Sequence, residues 1–150
     1  MTNTSSKRVN IVSIKMVKES SILYKNRQIL SPKDSVNLLK DFINDSDREM
    51  LIVCCLDTKN QPTCISIVSI GTINSSLVHP REVFKTAILS NSASIIMAHN
   101  HPTGDTCPSK EDIGITSKIK EVGKILGIEL LDHLIIGYEN YRSLKEDGYI

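Results

Sequence analysis

The chain has 150 residues, 40% hydrophobic and 23% charged, with a formal net charge of +1. This length supports one domain with a real core. The near-neutral balance excludes a protein drawn to nucleic acid or a membrane surface by its overall field, and two Phe with no Trp argue against an aromatic platform for single-stranded nucleic acid.

Residues 1–8 read as a polar tail without a signal-like apolar segment. One domain is expected over 9–150. Val9 to Val17 predicts a strand with imperfect alternation. Ser31-Pro32 opens a helix, Ser31 as cap and Pro32 in the first turn, and Val36, Leu38, Leu39, Phe42 and Ile43 supply its apolar face. Met50 to Leu56 is a continuous apolar run, expected as a strand buried on both faces. Asp57 to Asn60 has turn composition, and Pro62 to Ile70 returns as the partner strand until Gly71. Pro80 to Leu89 predicts a short helix, and Ser94 to Ala98 a short apolar strand.

A loop from His99 to Pro108 follows, rich in Pro, Thr, Gly and Asp. Ser109 caps a helix that runs to Leu126 and stops at Gly127. Ile128 to Ile136 predicts the last buried strand, and Tyr141 to Leu144 an edge strand. Helices alternate with strands, but the hairpin forces antiparallel pairing. The expected fold class is therefore α/β, a mixed sandwich around a central sheet.

No run approaches the ~18 apolar residues of a membrane span. Cys54, Cys55, Cys64 and Cys107 show no CxxC spacing, so a cysteine-rich structural zinc site is not expected. The first three read as small buried hydrophobes. The expected compartment is a reducing cytoplasm, in which Cys107 stays a free thiol.

The segment from His99 to Asp112 carries the chemistry. His99 and His101 alternate at the end of an apolar strand, so both imidazoles can point to one side. The loop then returns Ser109 and Asp112 at a helix start. Asp112 has two readings there: partner in a capping box, or third ligand beside the two histidines. Three protein ligands and an open position are the pattern of a catalytic zinc. One zinc per chain is expected on His99, His101 and Asp112, with Cys107 the only nearby candidate for a fourth ligand.

The segment resembles the metal-binding motif of JAMM (MPN-plus) metallopeptidases, H-x-H-P-x6-S-x-x-D, matched by His99, His101, Pro102, Ser109 and Asp112. More narrowly, Val78 to Phe84, His99 to Pro102 and Gly127 to His133 are similar to the RadC family, over roughly residues 31 to 148. The resemblance implies a curved mixed sheet flanked by helices, a JAB/MPN-like fold of the cytidine-deaminase-like sandwich type. It implies a zinc hydrolase acting on a peptide or isopeptide substrate. Thr106-Cys107 departs from the family's usual G-D-P-T-P-S loop. The helical N-terminal domain of full-length members, with its DNA-binding look, has no counterpart here, so the resemblance implies a stand-alone catalytic domain and leaves a nucleic-acid partner open.

The resemblance also implies roles. Glu49, at the head of the apolar strand, matches the glutamate that serves as general base; its plainer reading is a solvated strand-end carboxylate. Glu82 is the second choice for the base, expected on a helix surface. Ser109 would donate to the tetrahedral oxyanion, besides capping its helix. Asn100 should point away from its flanking histidines and support the loop, and His133 is expected behind the ligands rather than among them. The alternative function is a DNA-associated repair or mobile-element protein, nuclease or non-catalytic scaffold, on the same fold. Against the nuclease, His99-Asn100-His101 spells HNH contiguously, whereas those nucleases spread the letters over a longer unit, and no basic footprint is present. The H-x-E and P-C-x-x-C signals of a zinc deaminase are absent.

Overall fold

The computed structural model describes residues 5–44, 46–71 and 78–150. The elements are α1 (Pro32–Leu39) with a 3-10 turn (Lys40–Phe42), β1 (Met50–Leu56), β2 (Pro62–Ile70), α2 (Pro80–Leu89), β3 (Ser94–Asn100), α3 (Lys110–Leu126), β4 (Glu129–Ile136) and β5 (Tyr141–Ser143). The strands form one sheet in the order β2-β1-β3-β4-β5. β3 and β4 run parallel, joined by the α3 crossover, and the other neighbouring pairs are antiparallel. The fold is the mixed α/β arrangement expected.

Local chemistry explains the boundaries. Ser31 Oγ accepts from the Asp34 N–H at 3.2 Å, with Pro32 in the first helical turn. Asp57 Oδ1 accepts from the N–H groups of Lys59 and Gln61, at 2.8 and 2.9 Å, and tightens the hairpin. Helix α3 ends on Gly127 at φ 71°, the left-handed conformation that glycine adopts without Cβ strain.

The sheet separates two cores. Leu51, Val53, Cys55, Ile95 and Met97 face Phe84 of α2 and Ile115 and Ile119 of α3. Ile52, Cys54, Ile96, Ala98 and Leu134 face Leu38 and Leu39 of α1. Strict alternation along β1 and β3 thus feeds both cores, which is why Met50 to Leu56 reads as an unbroken apolar run.

Three features depart from the sequence reading. The predicted strand Val9 to Val17 does not form: it has no ladder partner among the described residues, and Val9, Ile11, Ile14 and Val17 are exposed. The doublets Ile11-Val12 and Met16-Val17 break the alternation, so no single face can be buried. Strand β3 runs two residues past Ala98, because His99 and Asn100 still pair with β4. Finally, a register shift lies between Ile95 and Ile96 opposite β4, so that Met97 pairs with His133. An extra residue in one strand moves everything beyond it to the other face. It brings His133 to the α3 side, the side of Met97 and His99. Among the described residues, no helix is long and apolar enough to cross a membrane.

Candidate metal centre

His99 continues the face of Ile95 and Met97 toward α3, and His101 follows two residues on. From the other side, α3 buries Asp112, Ile115, Thr116, Ile119 and Gly123. This stripe has helical spacing, so Asp112 belongs to the buried face of α3. The three side chains meet: one ligand atom from each of His99, His101 and Asp112 lies within 4.8 Å of the others. His99 and Asp112 are buried, and His101 is half-buried.

Asp112 completes the capping box and also faces both histidines. Its Oδ2 accepts the Ser109 N–H at 2.8 Å, and its own N–H donates to Ser109 Oγ at 3.1 Å, a complete capping box. The same carboxylate puts Oδ1 3.2 Å from His99 Nε2 and Oδ2 3.3 Å from His101 Nε2. Burial pushes its pKa up; a protonated His99 would outweigh this and, with the donors of Ser109, hold it well below the usual carboxylate range.

The hydrogen-bond network assigns the histidine tautomers. His101 Nδ1 faces the Asp105 carbonyl at 2.7 Å. A carbonyl only accepts, so Nδ1 carries the proton and Nε2 a lone pair. For His99 the logic runs through two more residues. Thr116 Oγ1 donates to the Asp112 carbonyl at 2.7 Å and therefore accepts from His133 Nδ1 at 2.6 Å. His133 is buried, and burial drives its pKa well below the ordinary histidine value. It is neutral, so its Nε2 accepts from His99 Nδ1 at 2.8 Å. His99 Nε2 is left with a lone pair.

Two imidazole lone pairs and a carboxylate thus point at one place, with no hydrogen-bond donor among them. The Nε2 atoms of His99 and His101 are 3.1 Å apart. A tetrahedral site with ligand bonds of about 2.0–2.1 Å has edges of about 3.3–3.4 Å. The 3.1 Å edge between the two Nε2 atoms comes near it, and each Asp112 oxygen faces a different imidazole, Oδ1 at 3.2 Å from His99 and Oδ2 at 3.3 Å from His101. The donor set is compatible with a metal ion.

The remaining residues fall as follows. Ser109 caps α3 beside the donors. Glu49 is half-buried just before β1. Leu51 pairs with His99 and Ile52 with Ala98. Continuing that register places Glu49 opposite His101, on the face of Leu51. Glu82 is on α2, 2.9 Å from Lys85 in an exposed i,i+3 pair. Cys107 is exposed and lies outside the converging set.

Two contributions were only partly visible in the sequence. Asn100 does more than support its own loop: its Oδ1 accepts the Met50 N–H at 2.7 Å and its Nδ2 donates to the Arg48 carbonyl at 3.0 Å. It clamps the backbone on both sides of Glu49. Thr116 carried no signal beyond its i+4 spacing from Asp112.

A mixed sheet between helices, with this donor set at the end of a central strand, is the JAB/MPN arrangement. The chain belongs to the RadC-like JAB domain family, whose sequence profile matches residues 29–149. A UPF0758 protein of Methanosarcina barkeri is 52% identical over 124 residues, 83% of this chain and 54% of the relative. One from Clostridium beijerinckii is 54% identical over 123 residues, with 82% and 54% covered. One from Clostridium botulinum is 48% identical over 147 residues, with 96% and 64% covered. The chain spans between 54% and 64% of the length of these curated relatives.

Proposed function

We propose that this chain is a zinc-dependent hydrolase of peptide or isopeptide bonds. The observation that carries the reading is the convergence of three lone-pair donors with no proton between them. Zinc bound there would supply Lewis acidity and lower the pKa of a coordinated water from about 15.7 toward about 7. His99, His101 and Asp112 would hold it. Glu49 takes a proton from the attacking water and returns it to the leaving nitrogen. Ser109 Oγ accepts within the capping box, which leaves its O–H free to donate to the developing oxyanion. Asn100 fixes the backbone that carries Glu49. A reducing cytoplasm suits the four free thiols.

The test has two arms. Elemental analysis after mild purification at neutral pH should find one zinc per chain, lost in Asp112→Asn. A peptide and isopeptide panel should then yield a substrate whose hydrolysis stops with chelation. A chain that stays metal-free in excess zinc overturns the metal site. A zinc-loaded chain inert across the panel overturns the hydrolase reading.

A further inference from the structure

A second group of reactive side chains lies at the opposite end of β1. Cys55 and Cys64 are direct cross-strand partners in the antiparallel β1–β2 pair. Such partners have Cα separations of about 4.5 or about 5.5 Å, depending on their place in the ladder. Both values lie within the roughly 4.4–6.8 Å that a disulfide spans. Both sulfurs face the same core, against α2. Cys54 faces the other core and is excluded by strand alternation.

The two thiols differ in access. Cys55 is buried, whereas Cys64 is half-buried on the edge strand. Hydroxyls gather round them. Thr63 Oγ1 is 4.0 Å from Cys64 Sγ, and Ser90 Oγ and Ser92 Oγ are 2.6 Å apart. A hydrogen bond from Cys55, aided by Ser90 and Thr63, holds the Cys64 thiol below its ordinary pKa despite burial. The same bond and burial push Cys55 up. One sulfur is thus suited to attack and its neighbour to resolve.

We propose that Cys55 and Cys64 form a redox-reactive pair that low-molecular-weight disulfides oxidise to a cross-strand disulfide. Cys64 sulfur attacks one sulfur of the small disulfide. A protein–small-molecule S–S bond forms, the original S–S bond breaks, and the first small thiol leaves with the Cys64 proton. Cys55 sulfur then attacks Cys64 sulfur and displaces the second small thiol, which takes the Cys55 proton. The protein dithiol loses two electrons, and the small disulfide is reduced to two thiols. The product bolts the edge strand β2 to β1. Cys55 pairs with Ile95 in β3, four positions before His99, so the reaction stands apart from the donor site.

The probe is oxidised glutathione on the full folded chain, followed by alkylation in denaturant and peptide mapping by mass spectrometry. The expected product joins Cys55 to Cys64, two hydrogens lighter and reversed by dithiothreitol. Exposed Cys107 serves as internal control and takes a single glutathione. Cys55→Ser should stop at a glutathione adduct on Cys64, and Cys64→Ser should leave Cys55 unmodified. If Cys107 is glutathionylated while Cys55 and Cys64 are recovered as free alkylated thiols, the proposal is overturned. A bond from Cys64 to Cys54 overturns it equally. The wild-type map decides the matter even if neither variant folds.

Discussion

His133 stands directly behind His99, its Nε2 2.8 Å from His99 Nδ1, although 34 residues separate them. Through this contact one neutral ring sets the tautomer of another, and Thr116 sets the first by the same means. Removing either member leaves His99 free to turn its lone pair away from Asp112.

His133→Ala and Thr116→Val should therefore weaken zinc binding by about 10–100-fold, the usual effect of losing a partner behind a metal ligand. Chelator competition measures it, with circular dichroism as a check on folding. His133→Gln, whose amide oxygen can accept the His99 proton, should recover part of the loss. Unchanged affinity in His133→Ala would refute the tautomer argument.

The same residue predicts a pH dependence for metal-free protein. His133 resists protonation when folded, while the unfolded chain takes up that proton near the ordinary value of ~6.5. The unfolded state binds more protons below that pH, so stability falls as pH drops through it toward the folded pKa. The slope contributed is at most about 1.4 kcal/mol per pH unit. Urea midpoints in chelator should drop from pH 7 to pH 5, and less steeply in His133→Gln.

Glu49→Gln keeps shape and hydrogen-bonding reach but removes the proton acceptor. It should retain zinc and lower turnover by ~100-fold or more. Glu82→Gln, on the surface of α2, should change little. Zinc content and hydrolysis rate are measured for both. A dead Glu82→Gln beside a fully active Glu49→Gln reverses the assignment.

Asn100→Ala should strand the Met50 N–H, at about 1–3 kcal/mol for a group left buried and unpaired, while the Arg48 carbonyl keeps the Ser46 hydroxyl at 2.8 Å. Denaturation should show that loss. Turnover should fall further than zinc content, because the clamp holds Glu49 and not the metal donors.

Cys107→Ser should bind zinc as tightly as the wild type. A loss of 10–100-fold would mean that the loop closes over the ion with a fourth protein ligand.

Much of this architecture could be read from local chemistry. Ser31-Pro32 and Ser109 through Asp112 announce their helices by capping, and His99, His101 and Asp112 lie close enough in sequence for their convergence to be inferred. The partnership of His99 with His133 could not be inferred. It depends on one register shift between β3 and β4, and without that shift His133 would point to the α1 side. Nor could β3's extension, since backbone pairing with β4 persists beneath polar side chains. Val9 to Val17 misled in the opposite sense: its residues suit a strand, but strand formation requires a neighbour and one consistent apolar face.

All three converging donors come from one short stretch, residues 99 to 112. The entropy of closing a loop grows only with the logarithm of its length, about (3/2)RT ln n. The denatured chain therefore gathers these imidazoles and this carboxylate at small cost, unlike a site collected from distant segments. Zinc affinity for the denatured chain subtracts from the stabilisation that binding gives the native state. Melting shifts on adding zinc will then understate the native affinity. What the denatured chain lacks is His133 and Thr116, which arrive only when β4 and α3 are in place.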